Sequence, residues 1–328
     1  MNPINIKQLD ELMSQDYPDQ EYIVDRLVPA SSITILSGQS RSFKTYTLLD
    51  IALCIASGEP LFRQFPTQET GVLIIDEENG ERLLQKRLKQ LHAVDNLPIY
   101  ISSFGGFRLD DGHIKEVLDF CSKNNIGLII IDALIRVHSA DENSAKDMSK
   151  VFEKLRAFTK QDVAILVTQH NRKMGANGNM GANEMRGSSD ILAAVDSHVG
   201  VSRKDNVYLT FTQEKQRYDV ELDPFQVKVT VDDGSFSFEY LGVFRKPLDK
   251  SAILLPAVIN LLTEYGQLPV GELEQKLKER DIATNEHELR NLLNRWVAEG
   301  TLPQPKKGRG NTKNFWVEGE SDGQSEKE

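Results

Sequence analysis

Four short runs of nearly continuous aliphatic and β-branched residues punctuate the first half of the chain: Ile33 to Leu36, Val72 to Ile75, Leu128 to Ile131 and Val163 to Val167. A strand that is apolar at every position, rather than at every second one, has to be covered on both faces. That requirement selects a mostly parallel sheet with helices packed on either side, so the expected fold class is α/β. The segments between the runs have helical spacing. Helices are expected after Thr45, from about Glu81 to His92, over Asp111 to Asn124 and over Ser144 to Thr159, with Ser144 as an N-cap, and a further strand over Leu97 to Ser103.

In open α/β sheets ligands sit beyond the carboxyl ends of the strands. Gly38, Glu78, Asp132 and Gln169 each lie at such an end and are expected to converge on one crevice. The first end is the most informative. Gly38-Gln39-Ser40-Arg41-Ser42-Phe43-Lys44-Thr45 follows a strand and opens a helix, the context in which a phosphate-binding loop makes physical sense. Backbone N–H groups and the positive end of the helix dipole would cradle a β-phosphate there. Lys44 would reach the β/γ-phosphates, and the Thr45 hydroxyl would ligate Mg²⁺.

One position departs from G-x-x-x-x-G-K-[ST]: Phe43 stands where the second glycine belongs. The expectation is that Phe43 has a negative φ and turns its ring away from the nucleotide. Asp132 is the natural Walker-B-type carboxylate, holding Mg²⁺ beside Thr45, with a turn-capping Asp as the alternative. Glu78 is placed to orient or deprotonate water, with Asp76 and Glu77 as rivals for that role.

Composition excludes other classes. The 328 residues suffice for two domains, and no apolar run reaches the ~20 residues of a membrane span. The N-terminus has no basic n-region and no signal-like apolar stretch, so a cytoplasmic protein with no membrane partner is expected. Cys54 and Cys121, the two cysteines, fall on apolar helical faces and read as buried free thiols. A net charge of −10 argues against wrapping nucleic acid over the whole surface but permits a local basic footprint.

Residues 1–20 read as a polar arm. Beyond His170 the pattern gives way to a glycine-rich loop, and from Ser197 to Leu241 the period becomes two, as in antiparallel strands added to the core. Residues 246–250 read as a linker. Three amphipathic helices then precede a hairpin carrying Lys306, Lys307, Arg309 and Lys313, the outline of a winged helix over 251–318, and residues 319–328 read as a disordered acidic tail. On the third helix Arg290 and Arg295 are candidate DNA contacts, and the hairpin would lie against a backbone or minor groove. A protein-docking role is the alternative.

Taken together, the loop Gly38 to Thr45, Asp76-Glu77-Glu78-Asn79-Gly80-Glu81 with Arg87-Leu88, Asp132-Ala133-Leu134 with Asp141-Glu142-Asn143, Thr168-Gln169-His170 and Met185-Arg186-Gly187-Ser188-Ser189 resemble the RepA-like hexameric-helicase branch of the RecA-type ATPases. The resemblance covers roughly Tyr22 to Asp223 and implies a RecA-like ATPase domain over 21–245. It implies that Glu78 is the catalytic glutamate and that Gln169 and His170 sense the γ-phosphate. Arg186 resembles the family's arginine finger, the alternative being an Arg that opens a helix. Lys215 and Arg217 resemble the Lys-x-Arg pair presented across a ring interface, the alternative being an exposed strand-end charge pair. Arg172 and Lys173, in the loop after the sensing strand, are candidate DNA contacts.

The resulting expectation is an ATP-hydrolysing, Mg²⁺-dependent ring, which the resemblance implies to be a hexamer. It would act as a DNA motor, a replicative helicase or helicase-like ATPase of a plasmid, phage or mobile element, with single-stranded DNA in the channel and duplex on the winged helix. The alternatives are a regulatory DNA-binding ATPase that switches assembly without unwinding, and a nucleotide-binding scaffold whose Phe43 loop no longer hydrolyses.

Overall fold

The computed structural model describes residues 6–170, 188–205, 207–232, 234–245, 250–308 and 312–317. The expectations for Arg172, Lys173, Arg186, Arg309, most of the linker and the acidic tail lie outside those residues. The chain divides into two compact units, residues 1–245 and 246–328.

In the first unit, the expected polar arm contains a short helix, α1 (Leu9–Met13), and a two-stranded hairpin of β1 (Tyr22–Val24) and β2 (Val28–Pro29) follows it. Next come β3 (Ile33–Gly38), α2 (Lys44–Ser57), β4 (Gly71–Asp76), α3 (Glu81–Gln90), β5 (Ile99–Ser103) and α4 (Asp111–Asn124). The chain continues through β6 (Ile126–Asp132), a 3₁₀ turn at Leu134–Arg136, α5 (Ala145–Thr159), β7 (Ala164–His170) and α6 (Ser188–Ala194). It ends in β8 (Ser197–Lys204), β9 (Tyr208–Gln216), β10 (Phe225–Asp232) and β11 (Ser235–Val243). These strands form one nine-stranded sheet in the order β11-β10-β9-β8-β3-β7-β6-β4-β5.

Six neighbouring strands, β8 through β5, run parallel, and β9, β10 and β11 extend the sheet antiparallel. This corrects one expectation: Ser197–Lys204 is parallel to β3 on one side and antiparallel to β9 on the other. Period-two alternation fixes which side chains share a face but carries no information about strand direction.

The all-apolar strands divide their residues between two cores, as strand geometry demands. Leu36, Val72, Ile74, Leu128, Ile130 and Leu166 pack with Leu48, Ala52 and Ile55 of α2. Ile33, Ile35, Leu73, Ile75, Ile129, Ile131, Ile165 and Val167 pack with Phe152, Leu155 and Phe158 of α5. Capping fixes where the helices begin and end. Ser144 accepts from the Asp147 amide at the start of α5, Asp110 accepts from the His113 amide at the start of α4, and Gly58 closes α2 with φ 71°.

The second unit is built from α7 (Lys250–Tyr265), β12 (Leu268–Pro269), α8 (Val270–Glu279), α9 (Glu286–Ala298), β13 (Lys306–Lys307) and β14 (Lys313–Phe315). Its three strands form a small antiparallel sheet in the order β12-β14-β13. Leu261, Leu273, Leu277, Leu289, Leu293, Trp296 and Phe315 make its core. No described helix of either unit is long and apolar enough to cross a membrane.

Candidate nucleotide site

Strand register brings the polar strand ends together. Gly38 lies opposite His170, Ser37 opposite Gln169 and Asp76 opposite Asp132, so the carboxyl tips of β3, β7, β6 and β4 end level with one another. A hollow of about 430 Å³ opens there, lined among others by Ser42, Lys44, Thr45, Glu78, Asp132 and His170. A larger open groove, about 1510 Å³, runs along α4 and α5, but none of the sequence-predicted site residues lines it.

Within the hollow, Lys44 Nζ donates to the carbonyls of Gly38 and Gln39, both at 2.8 Å, and lies 3.4 Å from His170 Nδ1. Burial pushes its ammonium pKa below the usual value, partly offset by Asp132 and Glu78. Thr45 Oγ1 donates to Asp132 Oδ2 at 2.8 Å, and Thr168 Oγ1 donates to the other carboxylate oxygen at 2.6 Å. His170 Nε2 is 3.7 Å from Glu78 Oε2. The neighbouring His170 ring is the main cause that lowers the Glu78 pKa, outweighing its partial burial.

The β4 tip separates the three consecutive acids. Asp76 is fully buried and its Oδ1 accepts from the amides of Glu78 and Asn79 at 2.8 and 2.6 Å, an Asx turn that burial alone would disfavour for a charged group. Glu77 Oε1 accepts from the Phe107 amide at 2.9 Å. Glu78 is left as the acid of the three that lines the hollow. Arg87 Nη1 donates to Asn79 Oδ1 at 3.0 Å and steadies this turn.

Phe43 departs from the first half of the expectation and keeps the second. Its φ is +60°, the left-handed region a glycine would occupy, and not negative. Its ring does turn aside, meeting Tyr46 and Phe236 edge-on at centroid distances of 6.0 and 5.2 Å. A non-glycine residue there costs ~1–2 kcal/mol, and each aromatic pair returns ~0.5–1.5 kcal/mol. Glycine is strictly needed at position 38 instead, because a Cβ there would stand 2.5 Å from the Val201 carbonyl oxygen. The first turn of α2 has no side-chain cap, which leaves its amides available to an anion.

The match with known sequences falls on this same region: residues 2–176, more than half of the chain, match the AAA domain family. The chain belongs to the AAA-domain family. No curated protein matches it. Membership implies ATPase activity and nucleotide binding, and the hollow is lined mostly by charged and hydrogen-bonding residues and edged by uncapped amides, as a triphosphate requires. Among the described residues, no cluster of three His, Cys, Asp or Glu side chains is arranged to hold a metal by itself. The hard oxygens of Thr45 and Asp132 fit Mg²⁺ of the kind that keeps waters and takes its remaining ligands from phosphates.

Gln169, Lys215 and Arg217 do not line the hollow. Gln169 is 4% exposed, and neither of its amide atoms finds a hydrogen-bond partner among the described residues. Lys215 donates to the carbonyls of Leu192 and Ala193 at the end of α6, and Arg217 pairs with Asp196 at 2.9 Å. Both sit at the amino-terminal end of β8, opposite the end that carries the hollow. In the second unit, Arg290 pairs with Glu286, and Arg295 with Ser251 and Glu299. Lys306 lies 4.1 Å from the Trp316 ring centroid, while Lys307 and Lys313 are exposed.

Two contributors had no role assigned from the sequence. Thr168 is a core-facing strand residue until Asp132 is seen beside it. Arg203, near the end of β8, lines the hollow although it falls beyond the family match.

Proposed function

We propose that the chain is a Mg²⁺-dependent ATPase that works on DNA, a RepA-like helicase or helicase-like motor of a plasmid, phage or mobile element, assembling as a ring. The observation that supports it is the meeting of Lys44, Thr45, Glu78, Asp132 and His170 around one hollow at the carboxyl ends of adjacent parallel strands. In this reading Lys44 releases the Gly38 and Gln39 carbonyls and turns its ammonium to the β/γ-phosphate oxygens. The uncapped amides of α2 bind the β-phosphate. Thr45 and Asp132 would hold Mg²⁺, which neutralises charge on the transferred phosphoryl group. Thr168 keeps the Asp132 carboxylate oriented. Glu78, beside His170, orients the attacking water and takes its proton.

We read the three helices and hairpin of the second unit as a winged helix, and we assign it to DNA contact. On α9 the arginines have glutamate partners four residues away, whereas Lys306, Lys307 and Lys313 project from the hairpin. That distribution favours backbone contact over base readout.

A second reading, a regulatory DNA-binding ATPase that switches assembly without unwinding, is favoured by Lys215 and Arg217. Both are engaged within their own protomer. ATPase rate against protein concentration separates the two readings, measured with and without single-stranded DNA alongside strand separation. A shared ring site gives specific activity that rises with concentration and with single strands, and unwinding follows. Stimulation by duplex without strand separation selects the second reading.

A further inference from the structure

Two residues of the phosphate loop, Arg41 at φ 69° and Phe43 at φ 60°, hold left-handed backbone conformations that glycine adopts freely and other residues resist. A single side chain reaches both of them. The Arg203 guanidinium lies 4.1 Å from the Phe43 ring centroid, and its Nη1 donates to the Arg41 carbonyl at 2.7 Å. Its Nε donates to the Asp205 carbonyl at 2.9 Å, which fixes the guanidinium relative to the end of β8. The Phe43 ring also meets Phe236 of β11 edge-on at a centroid distance of 5.2 Å, and Phe236 stacks on Tyr46 at 3.9 Å. The ring is therefore gripped between the phosphate-loop helix and the strands that follow α6.

We propose that Arg203 is a positioning residue for the nucleotide. By stacking on Phe43 and holding the Arg41 carbonyl, it supplies through contact the loop shape that a glycine at position 43 would supply through conformational freedom. The planar fork of arginine does both jobs at once, and a lysine ammonium does not. The inference rests on the reading of the hollow as a nucleotide site. It adds that the shape of the phosphate loop depends on a residue outside the family-matched segment.

A two-by-two comparison on the full-length protein tests it, with the dissociation constant of a fluorescent non-hydrolysable ATP analogue in Mg²⁺ as the readout. In the Phe43 background Arg203→Ala is expected to weaken binding on the order of tenfold, the scale of one strained residue released. In the Phe43→Gly background the same change is expected to weaken it by no more than about threefold, because glycine holds the left-handed shape at position 43 unaided and only the contact with the Arg41 carbonyl is lost. Arg203→Lys gives an intermediate loss and repeats the comparison should the alanine variant fail to fold. Equal losses in both backgrounds overturn the proposal, since they mean that Arg203 touches the nucleotide or acts through general stability. No loss in the Phe43 background overturns it too. Failure of the wild type to bind the analogue instead removes the nucleotide reading, and the inference with it.

Discussion

Lys44 rests on the Gly38 and Gln39 carbonyls, Thr45 and Thr168 share the two oxygens of Asp132, and Glu78 faces His170. Each contact assigns a separable task. Glu78→Gln keeps the shape and removes the charge, so nucleotide binding should persist while turnover falls by ~10²-fold or more, measured as steady-state phosphate release beside analogue binding. Thr168→Val deletes a buried hydrogen bond to a carboxylate and should cost about 1–3 kcal/mol of stability in urea melts. A buried carboxyl titrates outside the hollow. Burial alone raises the pKa of Asp50, on α2, to about 7 from 3.8. The native state thus keeps a proton that the unfolded chain gives up near 3.8, and stability falls as pH rises from about 4 to about 7. Asp50→Asn should raise the melting temperature at pH ~8 and leave it nearly unchanged at pH ~4. An equal shift at both values would show that the Asp50 proton is not the cause.

Elements carry these residues to their places. Asp196, at the start of β8, accepts from the Ile33 amide at 2.9 Å and pairs with Arg156 of α5 and with Arg217. It ties the phosphate-loop strand to a helix on one face and to the antiparallel extension. Asp196→Ala leaves two arginines facing an empty buried position and should destabilise the first unit by about 3–5 kcal/mol, read from chemical denaturation. The parallel strands and most helix limits were legible because continuous apolar runs and caps such as Ser144 report burial and helix starts directly. The hollow was legible as far as strand ends can be found by eye. The direction of β8 was not, since alternation is the same for either direction. Phe43 was misread in φ because the compensating contacts come from Phe236 and Arg203, about 160 to 190 residues further along the chain. Long-range compensation of that kind has no local signature.

At the scale of the whole molecule, two compact units with separate cores imply separable stabilities. A fragment of residues 1–245 should retain nucleotide binding within about threefold and lose DNA affinity, if the hairpin lysines carry backbone contact. Unchanged DNA binding by that fragment would move the DNA surface into the first unit. The central claim is that a magnesium-bound triphosphate occupies the hollow between the loop ahead of Lys44 and the tips of β4 and β6. Calorimetric titration of the full-length protein with a non-hydrolysable ATP analogue, with and without Mg²⁺, tests it most directly. The account predicts one site per chain in the wild type, weakened on removal of Mg²⁺ and lost in Lys44→Ala. Binding of equal strength in Lys44→Ala, or none in the wild type with Mg²⁺ present, would contradict it.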